Sequence, residues 1–332
     1  MAIKSNIKRR VLLAYRLLMR ALEPNSGLTV LSFNPLVNWL FEDVIAPMEA
    51  TTREGFLFFV DPQEYHGRIL WIFGSNDLKT SRVVNGMLDR NDILLDIGAN
   101  YATIGLASLS HIGTGGQLHL FEPQPSLAAQ ISGVIRQHRL HNVQLHQYAL
   151  SSQNGHFEMS VNRAHSGIAT LLDRREVFPK VKDGWSQITV KCVEARKAVQ
   201  DCTKGGPFGA KVDVEGAEPD ILRALLECSN LLFVVLEGDK NIDLLFDILT
   251  KRDFAVFGLR RTLISPRLCR IFNLQDWSRF HDFLAVPARA AVPGKSIRLE
   301  RVAAELAAVR RDILNSGNSR LYLDHPNRQT SG

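Results

Sequence analysis

Small and acidic residues follow a short apolar run near residue 93, in a pattern that suits the binding of a polar ligand. Residues 93–95 predict a buried strand, Asp96 ends it, and Gly98, Ala99 and Asn100 form the turn into the next helix. Glycine lets a ligand approach the backbone closely, and asparagine suits a tight turn at a helix start. Open α/β sheets bind their ligands at such turns, outside the carboxyl ends of the strands. This stretch therefore predicts one side of a ligand site.

A further carboxylate is predicted beside that turn. Residues 117–121 predict a second strand, which ends in Glu122 and Pro123. A strand, a helix and a second strand form a right-handed parallel crossover, so the two strand ends become neighbours. Glu122 then lies where a carboxylate accepts hydrogen bonds from both hydroxyls of a ribose. The two strands together predict a ribose-containing cofactor.

More carboxylates follow the next two predicted strands. Asp213, Glu215 and Glu218 cluster at the end of a strand over residues 210–214, and Glu237 ends the strand after it. Asp213, Glu215 and Glu237 are candidates for a catalytic base, for substrate hydrogen-bond acceptors or for ligands of a divalent cation. Carboxylates that share a crevice raise one another's proton affinity, which helps a base at neutral pH. Hydrogen bonds from Glu215 and Glu218 to backbone donors are an equally open interpretation, and we assign no metal.

The elements that must position these residues alternate between strands and helices. This pattern predicts an α/β fold with a mostly parallel sheet and helices on both faces. Residues 155–185 predict a hairpin and a loop over the site, with His165 and Ser166 facing the substrate. The other predicted elements are a strand pair over 56–73, helices over 81–88 and 126–138, and strands over 143–149, 188–193, 254–259 and 281–286.

The composition of the chain is that of a globular protein with no predicted membrane-spanning helix. The chain has 332 residues, of which 45% are hydrophobic and 22% charged, as in an ordinary globular protein. No apolar run approaches the roughly 18 residues of a membrane-spanning helix, and the N-terminus has no evident secretory cleavage site. Four widely spaced cysteines, without CxxC or a Cys/His ligand cluster in the sequence, predict reduced thiols in a cytoplasmic protein. The net charge of +6 alone favours no class of partner.

The two ends of the chain predict helical extensions. Residues 3–22 carry an apolar stripe at Ile7, Val11, Ala14, Leu18 and Leu22, with basic residues on the other side. This helix is expected to dock on the protein's own body, and a peripheral membrane contact is the alternative. Residues 296–315 predict a second helix that packs on the domain. We therefore divide the chain into 1–55, 56–287 and 288–332.

Five motifs in order resemble those of one known family. They are DIGAN at 96–100, FEP at 121–123, NVQLHQYAL at 142–150, SG at 166–167 and KVDVEGAE at 211–218. Over about residues 56–287 the sequence resembles the FkbM family of S-adenosylmethionine-dependent methyltransferases. The resemblance implies a Rossmann-like class I methyltransferase fold, with a seven-stranded sheet whose last strand is antiparallel. It also implies methyl transfer, usually to a hydroxyl oxygen.

The same resemblance assigns roles to individual positions. It implies S-adenosylmethionine as the cofactor, with Asp96, Gly98, Ala99 and Asn100 at the methionine end. Glu122, followed by Pro123, would bind the ribose, and the region of Ala149 would lie near the adenine. The acceptor is left open among small molecules, sugars, polyketides and lipid-linked glycans, because its choice depends on loops such as 156–186.

Ala102 departs from the family pattern, which commonly has a second glycine there. Its methyl group is expected either to crowd the cofactor or to be absorbed by a small backbone shift, so a non-catalytic cofactor-binding scaffold is one alternative. A nucleic-acid methyltransferase would suit the basic charge, but no NPPY-like motif is present. A nicotinamide dehydrogenase is disfavoured, because residues 98–105 lack the second glycine of GxGxxG.

Overall fold

A computed structural model of the chain describes residues 6–22, 26–44, 47–238, 241–260, 267–290 and 301–302. The strands are β1 (Met48–Thr51), β2 (Leu57–Val60), β3 (Ile93–Ile97), β4 (Gln117–Phe121), β5 (Val143–His146), β6 (Ala149–Ser151), β7 (Gly155–Asn162), β8 (His165–Thr170), β9 (Trp185–Glu194), β10 (Phe208–Val212), β11 (Leu231–Glu237), β12 (Phe254–Arg260), β13 (Arg267–Ile271) and β14 (Asp282–Pro287).

The α-helices are α1 (Asn6–Leu22), α2 (Pro35–Phe41), α3 (Tyr65–Phe73), α4 (Leu78–Met87), α5 (Thr103–Ala107), α6 (Leu109–Ile112), α7 (Pro125–His138), α8 (Arg174–Val177), α9 (Ala195–Thr203), α10 (Glu218–Leu226), α11 (Ile242–Lys251) and α12 (Leu274–Trp277). Two 3₁₀ helices cover Ser26–Phe33 and Ala288–Ala290.

The main sheet has the order β13-β12-β14-β11-β10-β3-β4-β5. Neighbouring strands from β5 to β11 are parallel, and β14 inserts antiparallel between β11 and β12. The predicted Rossmann-like α/β fold is confirmed, including the mostly parallel sheet and its antiparallel last strand. An eighth strand, β13, pairs antiparallel with the edge strand β12. The sequence analysis missed β13 because its alternation of basic and apolar residues, RLCRI, is short and resembles a surface loop.

Alternating side chains of β3 and β10 divide the core into two layers. Leu94 belongs to one hydrophobic cluster, whereas Leu95 and Ile97 belong to the other, on the opposite face of the sheet. Asp96 therefore shares the face of Leu94. Lys211 is the register partner of Asp96 on β10, so their side chains leave the same face as neighbours. The pleat thus places two charged groups together inside the sheet.

The prediction of a strand pair over residues 56–73 was half wrong. The first half is β2, which pairs antiparallel with β1, but the second half is helix α3. The Glu64 carboxylate caps α3 by accepting the backbone N–H groups of His66 and Gly67, and Gly74 ends it with φ +74°. Residues 67–73 are all buried, so this helix has no polar side to reveal its 3.6-residue period. A short apolar run of this kind cannot be distinguished from a buried strand by periodicity.

A second sheet has the order β6-β9-β7-β8. The predicted strand over 143–149 is in fact two strands, because the chain leaves the main sheet after β5 and enters the second sheet at β6. The predicted hairpin after residue 155 corresponds to β7 and β8, which end near the site. The predicted helices at 81–88 and 126–138 match α4 and α7 within a few residues.

The N-terminal helix α1 docks on the body, but through a different face from the predicted one. Leu12 and Met19 are buried, whereas Ile7 is 74% exposed and Leu18 is 53% exposed. Arg20 secures the helix by donating to the backbone carbonyl oxygens of Thr51 and Ile72. No helix in the described part of the chain is long and apolar enough to cross a membrane. The helix predicted over 296–315 lies outside the described residues, apart from 301–302.

Candidate functional site

A cavity of about 420 Å³ opens at the carboxyl ends of β3, β4, β10 and β11. This volume lies within the range of small-molecule sites. Among its lining residues are eleven that the sequence analysis selected: Gly98, Ala99, Asn100, Glu122, Pro123, Ala149, His165, Ser166, Asp213, Glu215 and Glu237. Asp96, the twelfth, does not line the cavity and lies fully buried behind the glycine turn. The fold thus gathers selected residues that are up to 139 positions apart, from Gly98 to Glu237, around one space.

The glycine turn after β3 is tightly packed between the neighbouring strands. Gly98 has φ +78°, and a Cβ atom at this position would lie 1.8 Å from the carbonyl oxygen of Asp213. The backbone N–H groups of Gly98 and Ala99 both donate to the carbonyl oxygen of Phe121, at 3.1 and 3.0 Å. Only glycine satisfies both the backbone conformation and the close contact. The turn is therefore held in one position between the ends of β4 and β10.

Ala102 has a left-handed backbone with φ +52°, the conformation that favours the glycine common at this position in the resembled family. Its side chain is fully buried in the hydrophobic core and does not line the cavity. The methyl group therefore does not crowd a ligand in the cavity, and the effect of alanine here is on the backbone.

Lys211, on β10, is the buried cation that contacts both the turn and two carboxylates. Its Nζ lies 3.3 Å from Oδ1 of Asp96 and 3.4 Å from Oδ2 of Asp213, and donates to the carbonyl oxygen of Gly98 at 2.6 Å. The other oxygen of Asp96 accepts the N–H of Gly105 at 3.0 Å. Burial alone lowers the pKa of Lys211, but the two carboxylates outweigh it and leave that pKa above its ordinary value. The sequence analysis passed over Lys211, although a lysine inside a buried strand requires a charged partner.

Glu122 connects the first two strand ends, as its position in the sequence predicts. Its Oε2 accepts the backbone N–H of Asn100 at 2.8 Å, and its Oε1 accepts that of Gln124 at 2.9 Å. Burial raises the pKa of Glu122 to about 7, although these two hydrogen bonds and Lys211 oppose the increase. A carboxylate has about four acceptor positions, so each oxygen keeps capacity for one more donor.

Asp213, Glu215 and Glu237 converge, with one carboxylate oxygen of each within 4.8 Å of the others. Burial, and then the charges of Asp213, Asp282 and Glu215, raise the pKa of Glu237 well above its ordinary value. Burial also acts to raise the pKa of Asp213, but Lys211, the hydrogen bond with Glu237 and the charge of His66 together outweigh it, and the net pKa is lowered. The expectation of mutually raised proton affinities thus applies to Glu237 and not to Asp213. The pKa of Glu237 thus lies above that of Asp213, so a proton shared by the two carboxylates resides on Glu237.

Glu218 accepts hydrogen bonds from a backbone donor, which is one of the two interpretations that the sequence left open. Both of its carboxylate oxygens accept the backbone N–H of Gly216, at 3.0 and 2.9 Å, across the turn that begins α10. Its carboxylate is buried and does not line the cavity. Glu218 therefore shapes the loop that presents Asp213 and Glu215.

Helix α3 adds two aromatic residues to the site that the sequence analysis missed. Tyr65 stacks on His165 with the ring centroids 4.3 Å apart, and His66 packs edge-on against His165 at 4.9 Å. Burial lowers the pKa of both histidines to about 4, so their rings are neutral near neutral pH. Both residues were missed because this segment was predicted to be a strand. The available signal was Glu64 immediately before the apolar run, since acidic side chains cap helices.

Ser166 ties the second sheet to both sides of the site. Its Oγ accepts a hydrogen bond from Nδ2 of Asn100 at 3.0 Å, and its backbone N–H donates to Oε1 of Glu64 at 2.8 Å. The hairpin of β7 and β8 is thereby connected to the glycine turn and to helix α3. The predicted substrate-side residues His165 and Ser166 therefore lie directly beside the predicted cofactor turn.

Comparison with known proteins finds likeness among solved structures only. No family model matches the chain, and no curated protein matches it. It is similar to an S-adenosylmethionine-dependent O-methyltransferase from Thermotoga maritima, with 12% identity over 75% of this chain and 80% of that chain and a TM-score of 0.37. It is also similar to precorrin-6y C5,15-methyltransferase from Geobacter metallireducens, with 11% identity over 63% of this chain and 86% of that chain and a TM-score of 0.35.

A putative tRNA (m1A22) methyltransferase from Streptococcus pneumoniae, in complex with S-adenosylmethionine, has 11% identity over 66% of this chain and 77% of that chain, with a TM-score of 0.34. At TM-scores below 0.5, these likenesses carry no argument about the site. The interpretation of the cavity therefore depends on its own residues.

The buried ion pair can be tested by a double-mutant cycle. We expect Lys211→Met to lower the free energy of unfolding by about 3–5 kcal/mol, because it leaves Asp96 charged and unpaired in the core. Adding Asp96→Asn should recover part of this loss. The control Lys251→Met, which breaks the exposed pair with Asp247, should cost less than about 1 kcal/mol. Urea unfolding at pH 7 measures these three variants and Asp96→Asn alone, which completes the cycle. Equal losses for the two lysines would contradict this interpretation.

The assignment of Ala102 to the core also has a direct test. Ala102→Gly should change the free energy of unfolding by less than about 1 kcal/mol, because relief of the left-handed backbone offsets the loss of a buried methyl group. Ala102→Val should lower it by about 1–3 kcal/mol, because the larger side chain overpacks the core. Urea unfolding distinguishes the two, and a valine variant as stable as the wild type would refute the assignment.

Proposed function

We propose that this protein is an S-adenosylmethionine-dependent methyltransferase that methylates a hydroxyl oxygen on a small molecule, sugar or glycan, as its resemblance to the FkbM family implies. One observation carries the proposal: the constrained turn at Gly98 and the carboxylate of Glu122 meet at the ends of adjacent parallel strands, beside the cavity. The last strand, β14, lies antiparallel between β11 and β12, which agrees with the antiparallel last strand that the resemblance implies.

The charges of the cavity support a cationic cofactor. Asp213 is held ionised by Lys211, and the charge of Lys211 is already balanced by Asp96 and Asp213. The cavity wall therefore carries more negative than positive charge, which complements a sulfonium. In this proposal the turn from Gly98 to Asn100 holds the methionine end of the cofactor, and Glu122 accepts the ribose hydroxyls. Ala149 flanks the adenine.

Methyl transfer from a sulfonium needs alignment more than covalent assistance. The acceptor oxygen forms a bond to the methyl carbon as the carbon–sulfur bond breaks, which leaves S-adenosylhomocysteine and one proton to remove. Asp213 and Glu237 share a proton at the acceptor side of the cavity and provide a route for the released one. Tyr65 and His165 form an aromatic wall that would orient the acceptor.

Two alternatives differ in the support they receive. A non-catalytic scaffold was suggested by Ala102, but the methyl group of this residue lies in the core and away from the cavity. A nucleic-acid methyltransferase is permitted by the net charge of +6, and it would use the same cofactor half. Turnover assays with hydroxyl-bearing acceptors and with RNA separate the hydroxyl and nucleic-acid classes.

Calorimetry on the full-length protein tests the cofactor. We expect binding of S-adenosylmethionine and no binding of NAD, with an affinity that rises as the pH rises through about 7, because only ionised Glu122 accepts both ribose hydroxyls. Glu122→Gln should weaken binding by roughly 1.5–3 kcal/mol and flatten this pH dependence. The exposed control Glu49→Gln should behave as the wild type.

Two results would count against the proposal. Binding of NAD by folded protein that does not bind S-adenosylmethionine would overturn the methyltransferase assignment. Unchanged affinity and an unchanged pH profile in Glu122→Gln would remove this residue from the ribose site.

A further inference from the structure

The N-terminal layer of the protein exposes an unusual amount of apolar surface. Nine of the fifteen large hydrophobic residues that are exposed in the described part of the chain lie between residues 7 and 39. We call them the N-terminal apolar surface: Ile7, Val11, Leu13, Leu17, Leu18, Val30, Leu31, Leu36 and Trp39. They belong to α1, α2 and the 3₁₀ helix between them, which pack against one another. Exposed apolar surface concentrated in this way marks an interaction site.

Helix α1 presents outward the stripe that an amphipathic helix normally buries. Ile7, Val11 and Leu18 repeat at the spacing of one helical face, and all three are exposed. The opposite face, with Leu12 and Met19, already packs on the body of the protein. The helix therefore has two apolar faces, and its own fold uses only one.

The charges around this surface suit an anionic partner. Helix α1 contains five basic residues and no acidic ones. Of these, Arg9 and Arg10 are exposed, whereas Lys8 pairs with Asp43 and Arg20 donates to backbone carbonyls. Exposed arginines beside apolar side chains are typical of helices that lie in the headgroup region of a bilayer, and tryptophan is enriched at the same depth.

The apolar surface also adjoins the mouth of the cavity. Thr29, in the 3₁₀ helix, lines the cavity, and the next two residues, Val30 and Leu31, are exposed. We propose that the N-terminal apolar surface seats the protein on an anionic lipid bilayer, with the cavity mouth beside the membrane. The apolar side chains enter the acyl boundary while Arg9 and Arg10 contact the headgroups. A membrane-resident acceptor would then reach the cavity without leaving the bilayer surface.

Flotation of the full-length protein with vesicles tests this proposal independently of any activity. We expect the protein to float with phosphatidylcholine vesicles that contain phosphatidylglycerol, and weakly or not at all with phosphatidylcholine alone. The double variant Ile7→Glu and Leu18→Glu should lose about tenfold in bound fraction, because it puts charges into the apolar face. Both residues are exposed, so the fold should be retained, as circular dichroism would verify. The control Leu244→Glu, on an exposed residue of α11, should float as the wild type.

Several outcomes would overturn the membrane assignment. One is the absence of the wild-type protein from the anionic vesicle fraction, and another is equal flotation of wild type and double variant. A dimer detected by light scattering, abolished by the double variant and without vesicle binding, would instead assign the surface to a second copy of the chain.

A separate observation concerns three metal-ligating side chains outside the cavity. His119 on β4, His146 on β5 and Cys202 on α9 place their ligand atoms within 4.8 Å of one another. Nδ1 of His119 lies 3.0 Å from Nε2 of His146, and Sγ of Cys202 lies 3.7 Å from the same nitrogen. In a tetrahedral zinc site the corresponding edges measure about 3.3 and 3.6 Å, as its bond lengths require. The sequence analysis missed this trio because its members are far apart along the chain.

The surroundings of the trio resemble a ligand shell. The Tyr148 hydroxyl lies 3.2 Å from Nδ1 of His146, which favours Nε2 as the ligand atom. His119 and Cys202 are buried and His146 is partly buried, so the three ligand atoms are shielded from bulk solvent.

We propose that His119, His146 and Cys202 bind a zinc ion, with water as the fourth ligand. Cobalt(II) is the probe, because a thiolate ligand produces a charge-transfer absorption that carboxylates and imidazoles do not. We expect one equivalent to bind the full-length protein with this absorption, and zinc to displace it. Cys202→Ser should abolish the absorption and weaken binding at least about tenfold, whereas the control Cys228→Ser should retain both.

The cobalt titration also identifies the results that would refute a zinc site here. One such result is that the wild-type protein binds no cobalt(II). Another is that cobalt(II) binds without the thiolate absorption, which would indicate that the carboxylates of the cavity hold the ion. Retention of the absorption in Cys202→Ser would assign the ion to another cysteine. Because Cys202→Ser is a near-isosteric change, circular dichroism is sufficient to show that the variant is folded.

Discussion

The ion pair between Lys211 and Asp96 is the constraint on which the site depends. The two side chains leave the same face of adjacent parallel strands, inside the core, where each charge requires the other. Their remaining hydrogen bonds go to the backbone of the turn, at the carbonyl of Gly98 and the N–H of Gly105. The pair therefore holds both ends of the loop that faces the cavity. The same ammonium lies 3.4 Å from Asp213, so the structural pair also helps to keep the pKa of this cavity carboxylate low.

The two halves of the cavity are built by different means. The half that contains the glycine turn, where we propose that the cofactor binds, consists mainly of backbone, since the turn after β3 is held by Phe121 and by the carboxylate of Glu122. The half where we propose that the acceptor binds consists of side chains from elements far apart in the sequence, as the stack of Tyr65 on His165 illustrates. Ser166 joins the halves through hydrogen bonds.

The N-terminal apolar surface and the trio of His119, His146 and Cys202 also depend on how the fold brings distant elements together. Apolar spacing in residues 6–22 indicates an amphipathic helix, but both of its sides carry apolar residues, and docking of α1 through Leu12 leaves the stripe of Ile7 and Leu18 outward. His119 and Cys202 are each ordinary in their local sequence. They become a potential ligand set only because β4, β5 and α9 meet on one side of the sheet.

The sequence by itself determined the α/β class, the positions of most strands along the chain, and the residues at the carboxyl ends of β3, β4, β10 and β11. These features are local: strand length, the position of Gly98 and the acidic residue after each strand are all encoded within a few neighbouring residues. Only the tertiary structure decided that residues 65–73 form a helix, that β13 extends the sheet, and that Lys211 is the partner of Asp96. A segment buried on every side has no polar face to display its period, and a charge in the core acquires meaning only from the group that the fold places beside it.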